Sequence, residues 1–527
     1  MKKLASRGAF AISLGFLISC AAAGSDVSSS GKGGKSGAAG SAGSAGASGS
    51  SAGGSAGSAG SVANDPALAP SLSVSDVAVF QAVRVPIVQA GQPVGQLNAP
   101  ILAARDTMFR IYVAPLDGWS PRDVTAELLI ATPDGAVTSF TATRNIVAAS
   151  SDQDASSVFD ILVPAVNFPF GTTWSVRLIS NDGVPTPAGT PSAARFPADG
   201  SSSGIDARVD NGGLNLVLVP IRYNYDGSGR LPDTSEAQLN RYRELITSVY
   251  PVSNVDLVIH DVFNWNKGPD SSGDFDFGAL NDALWDLRAS DNAPQYAYYY
   301  GLVNPANSVA SYCSNWCTTG QSFVVDNGSN GDDRVGSGIG FTGDDSAWTL
   351  VHEVGHEHGR EHAPCDVSPS DPGYPYSGGD IGVWGFDPRN QSFMSPSSVT
   401  DFMGYCPNTW VSDYTFTAMF RRVVEVNGLT PFAHVQRTFA AHTSVRVYPD
   451  GTSKWGSNVR VSSNNNGPRV SLTVLGANED ILSTVEAHLR RESHGGAKVL
   501  MIPQLPTGAK SIVGELPGGQ PVRLFVP

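Results

Sequence analysis

One stretch limits this chain more than any other: Leu350–Cys365, LVHEVGHEHGREHAPC, which holds four of the nine histidines in 527 residues. His352 and His356 are four positions apart, so on a helix they project side by side from one face. Two imidazoles placed that way can share one metal ion at Zn–N distances of ~2.0–2.1 Å. Glu353 then stands next to the ion but not on it, where a carboxylate can take a proton from activated water. Gly359 can adopt positive φ, end the helix and turn the chain, which brings His362 back as a third ligand from another direction. Three protein ligands leave a fourth position open, the arrangement of a catalytic rather than a structural zinc. At this chain's residue frequencies the spacing H-E-x-x-H-x-x-G-x-x-H arises by chance on the order of 10⁻⁵ times.

The motif needs a helix. Asp344, Asp345 or Ser346 can cap it, and Trp348, Val351 and Val354 supply its apolar positions. His358 lies ~240° round from His352 at ~100° per residue, so it faces away from the ion. Glu357 and Glu361 are expected to be solvated. His260, His434, His442, His488 and His494 form no cluster in the sequence and are expected to be structural or exposed.

These residues resemble the metzincin clan of zinc metalloproteases. The resemblance implies an α/β catalytic domain and a methionine-containing turn beneath the metal. Met394 in SFMSPSS and Met403 in DFMGYC are the candidates, and Met403-Gly404-Tyr405 matches the Met-x-Tyr of astacins and serralysins. In those families the tyrosine lies near the zinc and stabilises the transition state, so Tyr405 takes that role by resemblance. A packed core tyrosine is the competing reading. The segment from about 344 to 415 looks like a group of secreted bacterial metzincins, akin to mucin-cleaving ones that carry a β domain ahead of the protease. Ala363, directly after the third histidine, matches none of the acidic, Ser or Pro variants that distinguish subfamilies, so the subfamily stays open. No cysteine lies between Cys20 and Cys313, which gives no support to latency through a propeptide thiol.

The five cysteines bear on the same region. Residues 1–20 read as a signal segment: Lys2, Lys3 and Arg7 precede an apolar run too short to span a bilayer, and LISC resembles a bacterial lipobox with Cys20 as the lipidated residue, ordinary signal-peptidase cleavage in CAAAG being the alternative. Residues 21–64, almost all Gly, Ser and Ala, read as a flexible tether. Cys313, Cys317, Cys365 and Cys406 remain, an even number suited to an oxidising compartment. Three pairings exist. Cys313–Cys317 and Cys365–Cys406 are favoured, because the first is local and the second flanks the two elements expected to meet at the metal. A four-thiolate zinc is a rival with poor spacing.

From 65 to 208, short β-branched and aromatic runs separated by turn residues suggest an N-terminal β-sandwich, with a Pro/Gly/Ser linker over 182–213. Residues 209–427 alternate strands and helices, as a mixed sheet with covering helices requires, and 428–527 return to strands. The expected fold is therefore multidomain: an α/β (α+β) catalytic domain flanked by all-β domains. The acidic run Asp326–Asp333 is a candidate Ca²⁺ loop, though a solvated loop is the simpler reading, and the resemblance to metzincins implies that Gly336–Phe341 is an edge strand or rim near the cleft.

A net charge of -14, with no basic run beyond the extreme N-terminus, argues against nucleic acid as partner. The expectation is a zinc endopeptidase of the cell envelope, lipid-anchored or secreted, acting on proteins or glycoproteins and touching membrane only through its anchor. The alternative is a surface adhesin or glycan-binding lipoprotein with a vestigial protease domain. The retained Glu353 speaks against that, since a binding protein has no use for a base beside an open metal site.

Overall fold

In the strand Arg122–Ala131, Val124, Ala126, Leu128 and Ile130 are buried while their neighbours face outward, the period-two pattern of a sheet with one covered face. The computed structural model describes residues 64–187, 190–270, 273–314, 317–428, 438–463 and 465–527, so the signal segment, Cys20, nearly all of the tether and His434 lie outside the described residues. Arg122–Ala131 belongs to a seven-stranded antiparallel sheet that includes Thr173–Ile179. A five-stranded sheet containing Leu72–Phe80 and Thr107–Pro115 packs against it. Leu128, Ile130, Trp174 and Val176 of one sheet share a core with Val77, Val79, Phe109 and Ile111 of the other, which makes this region a β-sandwich. The stretch expected to be a linker is partly woven into it. Val184–Pro187 pairs with Asn64–Leu68, and Arg195–Phe196 and Ser203–Gly204 pair with Thr173–Ile179.

The central sheet sets the parallel strands Val255–Ile259, Leu214–Tyr223, Ala297–Val303 and Val335–Ile339 side by side, and adds Gly320–Val324 antiparallel. Ala297–Val303 is buried at every residue, as a strand covered on both faces must be. Leu214, Leu216 and Leu218 join the core shared with helices Glu236–Val249 and Asp344–Glu357. Val219 and Ile221 join the opposite core, with helix Phe277–Ser290. Val335–Ile339 is paired on both sides, so it is an interior strand and not the edge strand or rim that the metzincin resemblance implies.

The C-terminal strands do not form a detached unit. Ile481–Glu492 pairs with Gly320–Val324 through Phe323–Glu492 and Val324–Arg491, so the central sheet runs on into them as one thirteen-stranded sheet. A buried charge cluster fastens the junction: Arg446 reaches Asp282 of helix Phe277–Ser290 at 2.9 Å and Glu492 at 2.7 Å. Among the described residues no helix is long and apolar enough to cross a membrane.

Candidate active site

Helix Asp344–Glu357 starts one residue after Gly343, which serves as N-cap without a side-chain hydrogen bond. Asp344 and Asp345 therefore lie in its first turn rather than at the cap, where their charge complements the helix N-terminus. The helix ends at Gly359, with φ of 81°. A Cβ there would stand 2.6 Å from the Val325 carbonyl oxygen, so both the backbone angle and the neighbouring strand require glycine.

His352 and His356 project from the helix and His362 returns from the far side of the turn. His352 Nδ1–H donates to the Phe402 carbonyl at 2.7 Å, and His356 Nδ1–H to the Arg360 carbonyl at 2.6 Å. Each bond fixes a tautomer that leaves Nε2 bare and aimed inward. The two Nε2 atoms are 3.1 Å apart, near the ~3.3 Å edge expected between two ligands of a tetrahedral zinc. Burial, ahead of any neighbouring charge, pushes all three imidazoles down, His362 to about 2, so they are neutral and able to ligate. The donor set fits a zinc ion: three buried, neutral imidazoles gathered at one point, two of them with Nδ1 already held by a backbone carbonyl.

Glu353 is 2 % exposed. Its Oε2 accepts from Ser322 Oγ at 2.8 Å and Ser493 Oγ at 3.2 Å, and its Oε1 accepts from His494 Nε2 at 2.7 Å. Burial raises its pKa, but His494 beside it and the hydrogen bonds from His494 and Ser322 oppose this, and the carboxyl ends below its ordinary value.

Met403 lies under the helix. A Cβ on Gly355 would meet its Sδ at 2.5 Å, so the turn can approach only because residue 355 is glycine. Buried Asp401 shapes the turn, accepting from the Met403 amide at 2.9 Å and the Ser412 amide at 3.0 Å. Met394 belongs instead to the short strand Ser392–Met394, paired with Gly385–Asp387. Tyr405 Oη lies 3.3 Å from His362 Nε2, and burial raises its pKa, which keeps the phenol protonated. Cys313–Cys317 and Cys365–Cys406 are both bonded.

Residues 271–408 match the family described as Peptidase M66. This segment is similar to the Peptidase M66 family. The match covers about a quarter of the chain, running from just before helix Phe277–Ser290 to just past the Met403 turn. Comparison with curated proteins gives no match. Among solved structures, a "putative beta-galactosidase" from Bacteroides fragilis aligns over 87% of this chain and 73% of its own, at 10% identity and a TM-score of 0.13, too low to indicate a shared fold.

Several expectations around the M66 motif need correction. His494 is not isolated: one ligand atom from each of His352, His356, His362 and His494 lies within 4.8 Å of the others. Ser322 and Ser493 also reach the site and were not singled out. Glu357 is fully buried rather than solvated; neither carboxylate oxygen has a hydrogen-bond partner, and burial drives its pKa well up, so it is a protonated core residue. Glu361 pairs with Arg491 at 2.5 Å. His358 does face away, stacked on Tyr298 with ring centroids 4.7 Å apart. In Asp326–Asp333 the carboxylates meet arginines, Asp332 with Arg288 at 3.4 Å, Asp333 with Arg490 and Asp326 with Arg491. Asp332 and Asp333 are buried, so this is not the solvated loop expected, and their pairing gives Ca²⁺ no support there.

Proposed function

We propose that the chain is a zinc-dependent endopeptidase that hydrolyses extracellular proteins or glycoproteins. The observation that carries this reading is the buried, ionised Glu353 beside three inward-facing, neutral imidazoles in an M66 domain. His352, His356 and His362 would hold the ion. When bound, zinc supplies Lewis acidity toward the scissile carbonyl and toward the attacking water.

The rest belongs to this chain's own side chains. Glu353, kept ionised and held by Ser322 and Ser493, takes the proton of the attacking water at Oε1 and delivers it to the leaving amine. Tyr405, kept protonated by burial, donates a hydrogen bond to the developing oxyanion. Met403 supports the helix from below and touches no reacting atom.

The N-terminal sandwich, 65–208, and the C-terminal strands, 428–527, flank a catalytic domain over 209–427. A lipid at Cys20 and the Gly/Ser/Ala segment after it would attach this body to a bacterial envelope membrane. The test is incubation of the full chain with denatured protein and a glycoprotein panel, with and without a zinc chelator. Cleavage that chelation abolishes and zinc restores is expected. Glycan binding without chelator-sensitive cleavage would replace this reading with the adhesin.

A further inference from the structure

The turn between the C-terminal strands Ile481–Glu492 and Lys498–Pro503 reaches the metal site from outside the M66 segment. It is firmly held there. The Ser322 amide donates to Ser493 Oγ at 3.0 Å and the Ser493 amide to the Ser322 carbonyl at 2.9 Å, which continues the pairing of Glu492 with Phe323. Arg446 grips Glu492, and Arg491 pairs with Glu361 inside the zinc motif at 2.5 Å. Gly495 and Gly496, with φ of 70° and 63°, then turn the chain away immediately after His494.

His494 uses both ring nitrogens. Nε2 lies 2.7 Å from Glu353 Oε1, and Nδ1 contacts the Tyr405 hydroxyl. A carboxylate oxygen accepts, so Nε2–H donates to Glu353, and Nδ1 is left to accept from the Tyr405 hydroxyl. The result is a bridge from Tyr405 through His494 to Glu353.

We propose that His494 is a positioning residue of the peptidase, orienting Glu353 and Tyr405 together, so that the C-terminal strands complete the active centre. This rests on the reading of Glu353 as the base. Both ring nitrogens are engaged by these partners, which separates the role from that of a fourth metal ligand. The phenol has one proton, so Tyr405 is held toward the site between turnovers and redirects that proton to the oxyanion during them. A bridge of this kind acts on kcat, since it orients groups that work in the transition state rather than in substrate binding.

The test uses the full chain loaded with zinc, with cleavage of a peptide substrate and bound zinc measured for H494A, H494Q, Y405F, H494A/Y405F and E353A, and melting curves to follow folding. H494A is expected to lose about a hundredfold in kcat, with KM within about twofold and zinc content unchanged. H494Q, whose amide can donate to Glu353 and accept from Tyr405, should regain at least about tenfold of that loss. Adding Y405F to H494A should cost less than about threefold more, because the two act as one unit. The proposal is overturned if H494A turns over at the unsubstituted rate, if both His494 variants lose zinc, if H494Q is no better than H494A, or if the Y405F and H494A losses multiply. A dead E353A beside a fully active H494A would sink this proposal alone, whereas an active E353A would sink the reading of Glu353 itself.

Discussion

The Ala363 amide donates to the Met403 carbonyl at 3.0 Å, joining the end of the zinc motif to the turn beneath it. Two residues on, the Tyr405 amide donates to the Cys365 carbonyl at 2.9 Å, and Cys365 is bonded to Cys406. This short ladder with its covalent staple fixes where Tyr405 stands relative to His362. Replacing both Cys365 and Cys406 by serine should cost about 2–4 kcal/mol. Peptidase activity should fall at temperatures where the protein is still folded. Calorimetry alongside kinetics checks this, and unchanged activity would mean the ladder alone holds the turn.

His362→Ala should lose its metal. Two imidazoles from one helix do not replace a three-point site, so zinc content after dialysis should fall well below one per chain. Stoichiometric zinc in that variant would place the third ligand elsewhere, with His494 the first residue to test.

Gly359→Ala should be damaging out of proportion to its size. It forces a side chain onto a φ of 81° and against the Val325 carbonyl, so a loss of about 1–3 kcal/mol is expected. Because the turn also aims His362, zinc affinity should fall with it. Equilibrium denaturation with and without zinc separates the two effects.

Arg446→Met should destabilise the fold by about 3–5 kcal/mol, since it leaves Asp282 and Glu492 buried without their cation. The exposed pair Arg241–Asp344 is the control, where Arg241→Ala should cost about 0–1 kcal/mol. Similar losses in the two variants would show that the junction between the sheets does not depend on the buried charges.

The parts of the site legible in the sequence are those fixed by local geometry. An i, i+4 pair of histidines meets on any helix, and a glycine three residues later announces the turn that His362 needs. Met403, 41 residues beyond His362, and with it the pairing of Cys365 with Cys406, is legible only through the resemblance to metzincins. His494 could not be placed this way. It lies more than a hundred residues beyond the motif, and only the pairing of Ile481–Glu492 with Gly320–Val324 brings it in. The one local signal is S-H-G-G between two strand-like runs, which marks a turn but not what the turn faces. Glu357 departs from the sequence expectation for a different reason. It lies four residues after Glu353 on the same face, and that face is covered by the sheet, so a carboxylate expected in water sits protonated in the core.

The central claim is that Glu353 does the proton chemistry while the three histidines hold the ion. The most direct measurement is bound zinc and peptidase turnover of Glu353→Ala, made side by side on the same preparation of the full chain. The account predicts one zinc per chain and activity lowered by at least about a thousandfold. Turnover close to that of the unsubstituted protein, with zinc still bound, would contradict it.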